Sequence, residues 1–272
     1  MLNLYAVIGN PIAHSKSPFI HTEFSKQTGQ HIHYKTMLAS QDNFITAVES
    51  FRQLGGKGMN VTLPFKLEAH KISTQLTERA TIAKAVNTLT FHDGEIYGDN
   101  TDGDGLLRDI SSNLEFIIEA KRILLCGSGG AARGVVLALL RKNPCTLTVV
   151  NRTKKRSQEI QKQFLCYGDI VSCDYTDITG QEFDLIINAT SASLENKLPP
   201  LPSGIFAKNS LAYDMMYGNK NTTFLEFAQQ QEATYLANGI GMLVEQAAES
   251  FFVWHGIRPE TKSLIEALSR EI

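Results

Sequence analysis

The sequence contains one tryptophan, four cysteines and eight prolines in 272 residues, and its 26 lysines and arginines nearly balance its 28 aspartates and glutamates. Each scarcity excludes something. A net charge of −2 gives the surface as a whole no reason to seek a polyanion, so nucleic acid is not an expected partner. The longest aliphatic run, Val135 to Leu140, is far too short to cross a bilayer, so no membrane is expected either. The opening MLNLYAVIGNP lacks a cationic leader, and the protein is expected to be cytoplasmic. Cys126, Cys145, Cys166 and Cys173 form no C-x-x-C pair and read as buried free thiols in a reducing compartment. His31 and His33 share a strand face, but no carboxylate or third histidine stands at ligand spacing, so no metal is expected.

What is present is an alternation of strand and helix patterns from end to end, the mark of a largely parallel α/β protein. In the first half, residues 4–8 and HIHYKTML read as strands. Helices are expected over Ser17 to Thr28 and Asp42 to Leu54. GMNVT is another strand, leading to a helix opened by Pro64 and a helical stretch near Thr77 to Val86. TLTFHDGEIYG reads as a hairpin turning at Asp93-Gly94. The alternation restarts at RILLC (122–126), and two last helices, about Met242–His255 and Pro259–Arg270, have no strand after them. They are expected to fold back across a cleft. The expected division is 1–102 for a first domain, joined by helices from 240–272, and 103–239 for a second, without a flexible linker.

RILLC runs straight into Gly127-Ser128-Gly129-Gly130-Ala131 and a helix. Between a buried strand and a helix, inside a unit of about thirty residues, such a string is a dinucleotide phosphate loop. Its glycines allow close backbone approach, and the helix start offers free N–H groups to a pyrophosphate. After the next strand, where an NAD site places an acid, the chain reads Asn151-Arg152-Thr153-Lys154-Lys155-Arg156, with four cations in five residues. Thr153 suits an N-cap, so these cations stand at a helix start, where the dipole disfavours them. A 2′-phosphate would explain the placement, which makes NADP the expected cofactor.

Two residues of the first half are chemically odd. Lys66, in VTLPFK, stands just inside a helix start, where its charge opposes the dipole, a setting suited to acid–base work. Asp102, in GDNTDGDG, is flanked by turn residues near the domain junction. Alone, each also reads as a surface lysine or an Asx-turn aspartate.

The strings GNPIAHSKSP (9–18), GMNVTLPFK (58–66), AVNTL (85–89), GDNTDG (98–103), GSGGAAR, NRT, NAT (188–190), YDMMY (213–217) and GIGMLVEQA (239–247) run in order along both halves. Together they resemble the shikimate dehydrogenases. That resemblance implies an open mixed-sheet substrate domain facing a Rossmann domain, and NADPH-dependent reversible reduction of 3-dehydroshikimate to shikimate. It implies Lys66 and Asp102 at the reacting oxygen and Ser15 and Ser17 at the substrate carboxylate, with Tyr217 on the same side. Thr62, Asn87 and Gln246 match residues around the ring hydroxyls. On the cofactor side it implies the loop Gly127 to Ala131, Arg152 over the 2′-phosphate, and Asn151, Thr153 and Arg156 beside it. Thr190, Met215 and Gly239 match positions near the nicotinamide and its ribose, and Glu78 the cleft edge. The expected partner is a small molecule, and the expected state a monomer or homodimer.

The chain departs from the family at Ser128, where alanine is usual and a hydroxyl could add a hydrogen bond. It departs again at Ser193, where glycine is common, and at Asn238, where aspartate is frequent. Two other readings stay open. One is an NAD-using quinate/shikimate dehydrogenase, against which Arg152, Ser15 and Ser17 argue. The other is a non-catalytic NADP-binding regulator, against which Lys66 and Asp102 argue.

Overall fold

Alternation along the first strand sets the layers. In β1 (Asn3–Gly9), Tyr5 and Val7 face one side and Ala6 and Ile8 the other, and all four are buried. Such a strand needs cover on both faces. The computed structural model, which describes residues 3–218 and 220–270, supplies it. Five further strands join β1: β2 (Ile32–Leu38), β3 (Gly56–Val61), β4 (Gln75–Leu76), β5 (Thr88–His92) and β6 (Glu95–Asp99). Their order is β2-β1-β3-β5-β6-β4. The helices of this half are α1 (Ser17–Thr28), α2 (Phe44–Gln53), α3 (Lys66–Ile72) and α4 (Glu78–Ala83). Ala6 and Ile8 pack with Phe44, Val48 and Phe51 of α2 and with Phe65, while Tyr5 and Val7 meet Tyr34 and Trp254.

The sheet is mixed, and that decides where its chemistry gathers. β1, β2 and β3 are parallel, β5 runs antiparallel to β3, and β6 antiparallel to β5. β6 therefore points the same way as β1 and β3. The residues after β1, β3 and β6 and those before β5 all emerge at one edge.

The helix α5 (Asp102–Arg108) leads out of this sheet. The second sheet comprises β7 (Arg122–Cys126), β8 (Thr146–Val150), β9 (Ile170–Cys173), β10 (Phe183–Asn188), β11 (Phe206–Asp214) and β12 (Tyr235–Ala237). It is entirely parallel, in the order β12-β11-β10-β7-β8-β9. Counted from β7, this is the doubly wound order, whose crevice opens beyond the ends of β7 and β10. The helices α6 (Gly130–Leu140) and α7 (Lys154–Phe164) cover one face and α8 (Thr223–Gln230) the other. Then α9 (Ile240–His255) and α10 (Lys262–Arg270) return to the first half, burying Val244, Phe251, Leu264 and Leu268 with Ile20 and Phe24 of α1. The expected α/β fold, one mixed sheet and one Rossmann sheet, is the one observed.

Four local expectations need correction. Pro64 lies outside its helix: α3 starts at Lys66, with Phe65 as N-cap. Asp102 opens a helix instead of sitting in a turn. The strands β4 and β12 were not anticipated. Of the thiols only Cys126 is buried; Cys145 follows the Pro144 turn and Cys166 lies in a short helical turn after α7, and both are exposed.

Candidate active site

Lys66 and Asp102 come together from separate elements. Lys66 is the first residue of α3, after β3, and Asp102 the first of α5, after β6. Lys66 Nζ donates to Asp102 Oδ2 at 2.6 Å, with side chains 14% and 4% exposed. In so dry a wall a charge-assisted bond of this length is strong. Asn87, just before β5, donates to Asp102 Oδ1 at 2.9 Å, to Thr101 Oγ1 at 2.9 Å and to Gln246 Oε1 at 3.2 Å. Thr62 follows β3 and lies against Gly9, at the end of β1. These residues make one polar wall.

Behind it runs a layer that the sequence did not single out. Ser250 of α9 meets Asn60, Thr88 and Thr101 at 3.0, 2.8 and 3.1 Å, and Tyr34 donates to Asn60 Oδ1 at 2.7 Å. All of these are buried, so each needs the others to satisfy it. Arg79 adds a charged brace, with bonds of 2.7 Å to each oxygen of Asp99. Burial alone would raise the Asp99 carboxyl; the Arg79 guanidinium reverses that and holds it below its ordinary range.

Ser15 and Ser17 lie where β1 gives way to α1, at the edge of the sheet from which β3 and β6 also emerge. Ser17 N donates to Ser15 Oγ at 3.3 Å. The N-cap of α1 is Lys16, without a side-chain capping bond, so Ser17 is the first helical residue and Pro18 the second. Tyr217, from the loop after β11, packs against the α1 and α9 cluster, and its hydroxyl approaches the Lys16 backbone. Burial raises that phenol above its ordinary range.

Across the crevice, Gly127 adopts a φ of +115°, and a side chain there would strike Ala189 and Thr190. Gly129 is the N-cap of α6, with open space where a Cβ would point and no side chain capping the helix. The first amides of α6 are thus available to an anion. Gly130 touches the other half: a Cβ would lie 2.8 Å from Lys66 Cβ. Ala131 follows in the first turn of α6. Ser128 is buried, and among the described residues its hydroxyl makes no hydrogen bond.

Beyond β8, Asn151 Nδ2 donates to Thr153 O at 3.0 Å. Thr153 occupies the N-cap of α7, but its hydroxyl does not cap. Of the four cations there, Lys154 is neutralised by Asp174 at 3.0 Å and Asp177 at 3.7 Å. Among the described residues no carboxylate lies within ion-pair distance of Arg152, Lys155 or Arg156. A 2′-phosphate fits this donor set.

Thr190 leans on Asn188, donating from N at 3.1 Å and from Oγ1 at 2.7 Å to Asn188 Oδ1. Met215 N donates to Asn188 O at 3.0 Å, and Gly239 sits so close to Met215 O that any Cβ would collide. Asn238 Oδ1 accepts from Ile240 N at 3.1 Å, which caps the start of α9. Glu78 is the residue not brought in. Its carboxylate pairs with Arg141 at 2.9 Å, past the far end of α6 from the phosphate loop.

Comparison with known proteins settles the lineage. Residues 7–89 match the shikimate dehydrogenase substrate binding domain, 110–196 shikimate / quinate 5-dehydrogenase, and 239–268 the shikimate 5′-dehydrogenase C-terminal domain. The shikimate dehydrogenase (NADP(+)) of Nitrosospira multiformis is 60% identical over 98% of both chains. The chain belongs to the shikimate dehydrogenase family. The family's namesake from Chromobacterium violaceum is 51% identical over 100% of this chain and 99% of its own. Among solved structures, an Ael1 enzyme from Pseudomonas putida superposes with a TM-score of 0.90 at 45% identity, covering 98% of each chain. The shikimate 5-dehydrogenase of Thermus thermophilus, solved with NADP(H) and shikimate, gives a TM-score of 0.87 at 28% identity over 100% of both chains.

Proposed function

We propose that this shikimate dehydrogenase interconverts 3-dehydroshikimate and shikimate with NADP(H), using Lys66 and Asp102 as its acid–base pair. The observation that carries the reading is the contact of the two halves at Gly130 and Lys66, which sets a dinucleotide loop directly against a buried Lys–Asp pair. Residues 1–102 with 240–272 form the substrate half, and 103–239 the cofactor half.

The reduced nicotinamide, when bound, supplies the hydride. The chain's own residues manage the proton and the geometry. Lys66 Nζ holds a proton at the reacting oxygen and gives it up as the carbonyl becomes a hydroxyl, or takes it back in reverse. Asp102 aims that ammonium and shares the same oxygen, while Asn87 fixes the carboxylate from behind. Thr62, Asn87 and Gln246 meet the ring hydroxyls; Ser15, Ser17 and Tyr217 meet the substrate carboxylate. A ring rich in hydroxyls and poor in apolar surface demands such a wall, because a buried donor left unpaired costs about 1–3 kcal/mol. Arg152, with Arg156, Asn151 and Thr153, receives the 2′-phosphate, the loop Gly127 to Ala131 the pyrophosphate, and Thr190, Met215 and Gly239 the nicotinamide end.

The test is oxidation of shikimate by the purified protein, followed by the absorbance of reduced nicotinamide. Turnover is expected with NADP⁺, and far less with NAD⁺ or with quinate. No turnover of shikimate with either nucleotide would refute the reading.

A further inference from the structure

Beneath the loops after β10 and β11 lies a carboxylate that the mechanism above does not use. Asp214, the last residue of β11, is fully buried. Its Oδ2 accepts from Ser193 Oγ at 2.7 Å, Thr222 Oγ1 at 2.5 Å and Asn188 Nδ2 at 3.2 Å. Its Oδ1 accepts from Met216 N at 3.0 Å and Asn188 Nδ2 at 3.2 Å. Asn188 is its register partner on β10, and also donates to Ser193 Oγ at 3.1 Å. The other face of the Asn188 amide is the acceptor for Thr190. Met216 O in turn accepts from Gly239 N at 3.1 Å. One buried group thus ties together the turn holding Thr190 and Ser193, the segment Met215-Met216 with Gly239, and the start of α8 at Thr222. A carboxylate taken out of water is tolerated only when donors surround it, so these loops are held where the donors must be.

We propose that Asp214 is a positioning residue for the nicotinamide end of the cofactor, acting through Asn188 and Ser193 on Thr190, Met215 and Gly239. This rests on the reading that those three residues face the nicotinamide and its ribose. Arg152 lies after β8, on the opposite side of β7 in the sheet, and among the described residues it shares no hydrogen bond with this cluster. Ser193 belongs to the device: its hydroxyl bridges Asn188 and Asp214, a link that a glycine there could not make.

The experiment compares two ligands by calorimetry: NADP⁺, and adenosine 2′,5′-bisphosphate, which keeps the 2′-phosphate and lacks the nicotinamide. In Asp214→Asn, NADP⁺ should bind roughly tenfold more weakly, as expected for disturbing charge-assisted bonds, with the bisphosphate unchanged within about twofold. Ser193→Ala should act in the same direction, by roughly threefold, since it removes one neutral hydroxyl. In both, kcat should fall more than KM for shikimate rises. If Asp214→Asn does not fold, Ser193→Ala and Thr222→Val carry the comparison. Equal loss of both ligands, or no loss of NADP⁺ in any variant, overturns the proposal while leaving the cofactor reading intact. A wild type that binds neither ligand refutes the cofactor reading, and the proposal with it.

Discussion

Among the described residues Lys66 Nζ has one anionic partner, Asp102, in a wall otherwise made of amides and hydroxyls. Lys66→Ala should therefore lower kcat by ~10²–10⁴ while shikimate affinity changes much less, the pattern of a lost acid–base group. Asp102→Asn should also lose turnover, with weaker binding, because in the proposed mechanism it shares the same oxygen. Steady-state kinetics across pH checks both, and a Lys66→Ala enzyme near wild-type kcat at its best pH would contradict the mechanism. At the other end of the crevice, Arg152→Ala should weaken NADP⁺ by ~1.5–3 kcal/mol and NAD⁺ hardly at all. Titration of both nucleotides decides it; equal losses would move the 2′-phosphate elsewhere. Lys66 and Arg152 were legible because the sequence put positive charge at helix starts, where the dipole opposes it, and Asp102 through the family resemblance of its motif. Thr101, Ser250 and Asp214 were not. A serine on an apolar helix face has no visible partner when that partner, Asn60, lies 190 residues away. Glu78 shows the converse: a match of position said nothing of the Arg141 that engages its carboxylate.

Among the elements, long periodic ones were readable nearly to the residue, as α1, β7 and β8 show. β4 and β12 were not, because two or three residues make no pattern and exist as strands only through pairing with β6 and β11. The start of α3 was misplaced because proline suits a first turn whether or not the helix has begun. The start of α1 falls at Ser17, where it was expected, and its cap bears on the serines. With Lys16 as N-cap, the Ser17 side chain has no cap to make. Replacing Ser15 and Ser17 together with alanine should raise KM for shikimate by ~1–3 kcal/mol in binding terms and leave NADP⁺ affinity in place. Shikimate methyl ester is the discriminating ligand. Wild type should bind it poorly relative to shikimate, and the double variant should distinguish the two much less. Unchanged discrimination would reverse the orientation of the ring in the site.

The molecule as a whole carries an acid sensitivity in the seam between α1, α9 and β2. His21 is fully buried, its ring stacked on Tyr34 at 4.2 Å among Phe24, Phe251 and Trp254. Neither ring nitrogen has a hydrogen-bond partner among the described residues. Burial, with a smaller push from His255, lowers its pKa from 6.5 to about 3, against a weaker opposing pull from Asn60. Below about pH 6.5 the unfolded chain takes up a proton that the native state refuses, so stability falls as pH drops towards 3. The slope is at most ~1.4 kcal/mol per pH unit for this group. His255 is lowered in the same direction by burial and adds to the fall. His21→Phe keeps the stack and removes the proton site. Its unfolding free energy, from denaturant titrations at several pH values, should decline less steeply between pH 6.5 and 4. An identical slope in both proteins would clear His21 of the effect.

The backbone passes between the two sheets at α5 and again at the start of α9, and these two passages touch. Gly105 lies against Gln246, and Gly241 against Asp109, at distances that leave no space for a side chain. Two crossings packed this closely cannot shift independently, and a side chain added at either glycine would have to prise them apart. Asp102 is the first residue of α5, so the pair it makes with Lys66 is fastened to one of those crossings.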